Sequence, residues 1–139
     1  MKSEAIVPVS KKIPLLSNLS IIENIALIKE IHWHLSYKKA KHFALEALEK
    51  TGFAYIGSWR SAQCSERELF IAQLIRASMM QYAKIIIITP FVLLNETEEI
   101  AFLFSSCEKL GIKERCIILD LESNRVKYEK GGSVCRIIE

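Results

Sequence analysis

The stretch that decides the fold runs from Gln63 to Phe91 and reads QCSERELFIAQLIRASMMQYAKIIIITPF. Ser65 and Glu68 stand at its start with the spacing of a capping box, in which the serine hydroxyl accepts a backbone N–H and the glutamate reaches back to the serine N–H. No glycine or proline interrupts residues 69–82, and apolar residues recur there at helical spacing. This pattern predicts a helix that begins at Ser65 and is buried around most of its circumference.

A run of four isoleucines, Ile85 to Ile88, follows this helix after a short break. Side chains branched at Cβ favour strands, and a run without polar alternation is typical of a parallel strand that is covered on both faces. Pro90 has no backbone N–H to give to a sheet and therefore ends the strand. A buried helix that leads into such a strand indicates an α/β fold.

This stretch resembles the ATP-binding subunits of ABC transporters. In that family a signature of the form LSGGQ opens a helix that ends in ARAL, and the apolar Walker B strand that follows ends in DEP. Without a gap, residues 64–68 occupy the signature, residues 75–78 the ARAL phrase, and residues 87–91 the end of the Walker B strand. The resemblance therefore preserves the spacing of the motifs.

In the same alignment, this sequence has other residues at the positions where the family binds phosphate and metal. Glu66 and Arg67 stand where the signature has glycines, whose backbone N–H groups approach a phosphate closely. Ile88 replaces the metal-binding aspartate, and Thr89, a poor general base near neutral pH, replaces the catalytic glutamate. The resemblance thus implies a degenerate ATPase with no catalytic residue, no metal ligand and no cofactor. We expect nucleotide contact only from Ser65, and only beside a second chain, although its capping role alone also accounts for this serine.

A second resemblance lies at residues 15–27, which read LLSNLSIIENIAL. ABC ATPases commonly carry a phrase of the form LxxxLTVxENVAL at this point, and Ser20 with Glu23 predicts a helix start there. In that family this neighbourhood receives the coupling helix of the membrane permease. The resemblance implies a partner-binding surface that includes Leu15, Leu16 and Leu19. The alternative is that these leucines only seal a loop onto the core.

A third stretch resembles the helical subdomain of the same family, in which a helix ends in a phrase such as LExVGL. Ser36 predicts the start of a helix over residues 37–50, and Gly52 is placed to end it. The side chains expected on its core face are Ala40, Phe43, Ala44, Ala47 and Leu48. Tyr55 and Trp59 follow in a loop, where they anchor the loop on the helices or, if exposed, belong to the partner-binding surface.

The remaining segments complete the predicted architecture. We expect an edge strand over residues 4–9, a capped helix over residues 95–110, a buried strand over residues 116–121 and a hairpin over residues 126–138. Asp120 occupies the place of the family's switch histidine. The phosphate-binding motif G-x-x-x-x-G-K-[ST] occurs nowhere in the sequence.

The predicted fold class is α/β: a truncated P-loop NTPase (RecA-like) core of few, mostly parallel strands with an ABC-type helical subdomain. Residues 1–139 form one domain in this interpretation. Residues 20–62 are its helical subdomain, and residues 63–139 are the second half of the α/β core. Without a strand that carries the phosphate-binding loop, the strand at residues 115–121 either pairs directly with residues 84–89 or leaves an edge to be filled. An exposed apolar edge invites association, so we expect a partner chain or a second copy to cover it.

Composition limits the function classes. The formal net charge is +3, which is too small and too evenly spread to indicate nucleic acid. No apolar run approaches the roughly 18 residues of a spanning helix, so we expect a cytoplasmic protein, either free or peripheral on the inner face of the cell membrane. The four cysteines are scattered and form no C-x-x-C pair, and we expect them to be reduced rather than metal-bound: Cys64, Cys107, Cys116 and Cys135.

These observations lead to three hypotheses. The first is a non-catalytic ABC ATPase-like subunit that acts as an interaction or regulatory module and docks on a membrane permease or an ATPase partner subunit. The second is one half of a split ABC ATPase that completes a nucleotide site in trans. The third is a self-associating cytoplasmic scaffold, which would form a homodimer.

Overall fold

The structure, a computed structural model, describes residues 5–90 and 100–130. This part contains three strands and five α-helices joined by short 3-10 turns. In chain order they are β1 (Ile6–Val9), α1 (Ile21–Trp33), α2 (Tyr37–Thr51), α3 (Glu66–Ser78), β2 (Lys84–Ile88), α4 (Ile100–Lys109), β3 (Cys116–Leu119) and α5 (Arg125–Lys130). Residues 95–99 of the predicted capped helix and residues 131–138 of the predicted hairpin lie outside the described residues.

The strands form one parallel sheet in the order β1-β2-β3. β1 is an edge strand, as predicted, and Pro8 lies opposite Ile86 in its ladder. β3 pairs directly with β2, with Ile86 opposite Ile117. The prediction of a small α/β core with parallel strands is therefore confirmed.

Local capping sets the helix boundaries at the predicted places. The hydroxyls of Ser20, Ser36 and Ser65 each accept a backbone N–H in the first turn of α1, α2 and α3. Gly52 ends α2 with a φ of 85°, a left-handed conformation that suits glycine. A capping residue contributes about 1 kcal/mol, so three of them help to fix where the helices begin.

The hydrophobic core lies on one face of the sheet. Ile85 and Ile87 are completely buried there, and the core continues through Ile21 of α1, Phe70 of α3 and Leu103 of α4. The core therefore spans both the predicted helical subdomain and the predicted α/β part, whose boundary stays a prediction.

The opposite face of the sheet is more open than the sequence predicted. Ile86 and Ile88 are half-buried, while Ile117 and Leu119 of β3 are about half exposed, at 47% and 52%. The expectation of strands covered on both faces, including a buried strand at residues 116–121, was wrong. An isoleucine run has no alternation, so its pattern cannot show which face the helices leave open. We call these four residues the open face.

The chain after β3 also differs from the expectation. Residues 125–130 form α5, where a hairpin strand was predicted at residues 126–128. Arg125 Nε donates to Glu129 Oε1, one helical turn later, at 3.0 Å. The Asp120 carboxylate accepts from the Asn124 amide and the Tyr128 hydroxyl. These contacts at helical spacing favour the helix.

Candidate functional site

The start of α3, where the signature would lie, is closed by its own side chains. Ser65 Oγ accepts from the Glu68 N–H at 3.2 Å, and Glu68 Oε1 accepts from the Ser65 N–H at 2.8 Å. The Tyr55 hydroxyl donates to Glu68 Oε2 at 2.7 Å. Ser65 is exposed, but its oxygen and both oxygens of its capping partner are already engaged.

The electrostatics of this helix start disfavour an anion. The backbone N–H of Ser65, followed by the Tyr55 hydroxyl, lowers the pKa of Glu68, so this carboxylate stays charged. The same hydrogen bond raises the pKa of Tyr55 to about 12. Glu66 adds a second negative charge in the first turn. The positive end of the helix dipole is thus already matched by two carboxylates, and an incoming phosphate would meet both.

The other positions aligned with ATPase motifs have structural contacts. The Arg67 guanidinium carbon lies 4.4 Å from the centroid of the Phe102 ring, a cation–π contact. Thr89 adopts a left-handed φ of 42°, and its N–H donates to the Leu119 carbonyl. Asp120, at the place of the switch histidine, holds Asn124 and Tyr128. These contacts tie the residues into the fold.

The loop before α1 presents the predicted docking leucines unequally. Leu15 is buried in the core, Leu19 is half-buried, and Leu16 is 48% exposed. Leu15 therefore seals the loop, as the alternative interpretation held, whereas Leu16 offers an apolar surface.

Asn24, which the sequence analysis did not single out, fixes this loop. Its side-chain oxygen accepts from the Leu16 N–H at 2.7 Å, and its amide donates to the carbonyls of Leu16 and Ser20, each at 3.0 Å. Arg76 of α3 holds the preceding turn by donating to the carbonyls of Ile13 and Pro14. The signal in the sequence was a polar asparagine among the apolar residues of α1. In the structure this residue is only 2% exposed.

A groove of about 310 Å³ adjoins the loop. Two acidic and three apolar or aromatic side chains line it: Leu19, Glu23, Leu27, Glu30 and Tyr37. The Ser20 backbone N–H lowers the pKa of Glu23, while burial, followed by the charges of Glu23 and Glu30, raises the pKa of Tyr37. The groove therefore combines an apolar wall with negative charge, which complements a cationic, partly apolar segment. Together with Leu16 we call it the docking groove, after the partner-binding role predicted for this loop, which stays a prediction.

Trp59 and Tyr55 lie between the start of α1 and the start of α3 and contact both. The Trp59 carbonyl accepts from the Ile21 N–H at the start of α1, and the indole is half-buried against the core. The Tyr55 ring meets the Trp59 ring edge-on, with centroids 5.6 Å apart, and is itself 55% exposed. Trp59 thus anchors the loop, and Tyr55 carries the exposed surface. Their partner-binding role stays a prediction.

Lys29 is a second feature that the sequence did not reveal. It is only 5% exposed, and its ammonium lies 5.4 Å from the centroid of the Trp33 ring and 5.0 Å from that of Phe43. Burial, followed by the charge of Arg115, lowers its pKa. Phe43 of α2 was expected in the core but is 42% exposed. Its ring instead covers the Lys29 ammonium of α1. Such an arrangement depends on tertiary packing.

Comparison with known proteins gives a match of fold. The dimeric structure of MJ0796, a bacterial ABC transporter cassette, aligns with a TM-score of 0.64 over 87% of this chain. A dimeric post-hydrolysis state of the ATP-binding cassette MJ0796 bound to ADP and Pi aligns equally well. The fold of this chain is therefore similar to part of that cassette. Sequence identity is 17% in both cases, and the chain spans 54% of the length of those proteins.

No protein-family model and no curated protein matches the sequence. Across residues 5–90 and 100–130, no helix is long and apolar enough to cross a membrane.

Proposed function

We propose that this chain is a non-catalytic ABC cassette-like subunit that acts as an interaction or regulatory module of a membrane transport complex. The observation that carries the proposal is the closed start of α3, where Ser65, Glu68 and Tyr55 satisfy one another. A phosphate site needs free donors at such a helix start. Here the Ser65 N–H already donates to the Glu68 carboxylate and the Glu68 N–H to the Ser65 hydroxyl, which supports a role in protein contacts rather than in phosphate chemistry.

The partner we propose is a short cytoplasmic helix of a membrane permease, seated in the docking groove. Leu16 and Leu27 supply apolar contact, and Glu23 and Glu30 favour basic residues on that helix. The position of the groove beside the start of α1 agrees with the docking region that the sequence resemblance implied. The chain would then lie on the inner face of the cell membrane through its partner.

Nucleotide chemistry is tested with the purified chain and magnesium ATP. We expect no hydrolysis above the buffer background, and no change on Ser65→Ala. Ser36→Ala is the matched control, because Ser36 caps α2 in the same way without lying at the signature position. Hydrolysis that Ser65→Ala abolishes and Ser36→Ala preserves would refute the non-catalytic proposal.

Docking is tested by affinity purification in mild detergent. We expect an integral membrane protein to co-purify with the natural chain, and Leu16→Asp to release it. Leu45→Asp serves as a control because Leu45 is an exposed leucine of α2 outside the groove. Equal recovery with both variants would contradict docking through the groove, and recovery of the chain alone as a dimer would favour the scaffold hypothesis.

A second candidate function is the completion of a nucleotide site by a separate chain. The open face favours it, since parallel sheets are normally covered on both faces and this chain spans about half of the cassettes that it matches. A second chain that carries G-x-x-x-x-G-K-[ST] would cover Ile117 and Leu119. Co-purification of such a chain, lost in Ile117→Lys but kept in Leu16→Asp, would establish this function in place of the first.

A further inference from the structure

Two cysteines that are separate in sequence meet beside the sheet. Cys107 lies on the inner side of α4, and Cys116 is the first residue of β3. Their sulfur atoms are 3.7 Å apart. The turn between them is held by the Ile112 N–H, which donates to the Cys107 carbonyl, and by the left-handed Gly111. The fold therefore places the two thiols in contact through a short, well-formed turn.

The two sulfur atoms differ in access and surroundings. Cys107 is buried, with 4% of its surface exposed, whereas Cys116 is half-buried. The hydrogen bond from Cys107, followed by the charge of Arg115, lowers the pKa of Cys116, while that contact and burial raise the pKa of Cys107. The Arg115 guanidinium donates to the neutral carbonyls of Met80 and Ala83, so these contacts leave its charge unneutralised. Cys116 is the thiol better prepared to react.

We infer that Cys107 and Cys116 form an oxidant-responsive pair, which a hydroperoxide converts to an intrachain disulfide. The Cys116 thiolate attacks one peroxide oxygen, the S–O bond forms as the O–O bond breaks, and the departing hydroxide takes a proton to leave as water. The Cys107 sulfur then attacks the Cys116 sulfenic acid, the S–S bond forms as the S–O bond breaks, and a second water leaves with the Cys107 proton. One hydrogen peroxide oxidises two thiols to one disulfide and is reduced to two waters.

The required movement is small and local. The sulfur atoms must approach from 3.7 Å to the disulfide length of about 2.05 Å. Cys107 lies in the last turn of α4 and Cys116 at the first position of β3, so the intervening turn can absorb the shift. The bond would tie α4 to β3, which carries two residues of the open face. This site is independent of the docking groove and of any nucleotide chemistry.

The test treats the purified, reduced chain with hydrogen peroxide, then alkylates it and measures its intact mass. We expect the loss of two of the four alkylatable thiols and a cross-linked peptide that contains Cys107 and Cys116. The Cys64→Ser and Cys135→Ser controls should form the same cross-link. Four thiols remaining, or a cross-link that uses Cys64 or Cys135 instead, would overturn the inference.

Variants test the order of reaction. In Cys107→Ala the Cys116 sulfenic acid should persist and be captured by dimedone, whereas in Cys116→Ala the buried Cys107 should remain a thiol. Dimedone capture at Cys107 in preference to Cys116 would overturn the assigned roles. Because the cross-link in the natural chain is measured directly, the inference is still tested if an alanine variant fails to fold.

Discussion

The helical part at residues 21–51 and the sheet differ in where they leave apolar side chains exposed. α1 and α2 pack against each other, and each begins at a serine cap and ends at a left-handed residue, His34 or Gly52. The helices expose apolar side chains at several positions, such as Ile31 and Leu45, whereas the exposed Ile117 and Leu119 lie on one face of β3 beside the half-buried Ile86 and Ile88. The sheet therefore presents these side chains together, as a surface suited to another layer.

The largest expected effect is a difference in stability between alanine variants at two adjacent isoleucines of β2. Ile87→Ala should lower the free energy of unfolding by about 2–5 kcal/mol, because it empties a fully buried site. Ile86→Ala, the same substitution one residue away on the half-buried face, should cost clearly less. Urea unfolding of both variants measures the difference. Equal losses would mean that the second face of the sheet is as well packed as the first.

The next effect concerns the contact between α3 and the loop that precedes the docking groove. Arg76→Met removes the hydrogen bonds to Ile13 and Pro14 while keeping much of the side-chain volume. We expect a loss of about 1.5–3 kcal/mol, the range for hydrogen bonds to a charged group. Arg67→Met is the control, since Arg67 lies on the same helix but outside this loop. Amide hydrogen exchange should rise at residues 10–16 in Arg76→Met alone.

A smaller effect compares the two capping boxes. Ser20→Ala and Ser65→Ala should each cost about 1 kcal/mol, since each leaves one N-terminal N–H without its acceptor. Thermal unfolding measures both. Serine-to-threonine substitution at the same positions keeps the hydroxyl and should restore most of the stability. A loss far above this value at Ser65 alone would indicate a role for its hydroxyl beyond capping.

The smallest effect is a shift of the Tyr55 pKa, which distinguishes the capping box at Ser65 from the capping box at Ser20. The pKa of Tyr55 is raised to about 12 by its bond to Glu68, so this contact adds stability below the unfolded value of 10 and loses it as the pH rises toward 12. Glu68→Gln should move the Tyr55 pKa back toward 10, whereas Glu23→Gln should leave it in place. NMR of labelled tyrosine follows each pKa directly. An unmoved Tyr55 in Glu68→Gln would show that another group raises its pKa.

The contribution of Glu68 to stability depends on pH in the opposite direction from that of Tyr55. The pKa of Glu68 is lowered, so its contribution is present above the ordinary value of 4.5 and is lost as the pH falls below it. Stability measured from pH 6 to pH 3 should therefore fall less steeply in Glu68→Gln than in the natural chain.

Local signals in the sequence predicted the starts of α1, α2 and α3. A capping box needs only residues three apart, so Ser20 and Ser65 marked helix starts that the structure confirms. The parallel strand pairing also followed from the isoleucine run and from the resemblance to a known fold. Both depend on information that lies within a few neighbouring residues or within the order of motifs that the resemblance supplies.

Features set by tertiary contact were not predictable in the same way. The burial of Lys29 depends on Trp33 and Phe43 from two helices, and the contact between Cys107 and Cys116 depends on a crossover into β3. The helix at residues 125–130 was missed although Arg125 and Glu129 have helical spacing, and its contact from Tyr128 reaches back eight residues to Asp120. Periodicity within a segment carries none of these relations.

Hydrogen bonds in both directions between Asn24 and Leu16 fix the loop to α1, a 13-residue helix whose axis is about 20 Å long. At the far end the Trp33 indole donates to the Met79 carbonyl just past α3. α1 therefore connects the loop at Leu16 with the end of α3, the helix that precedes β2.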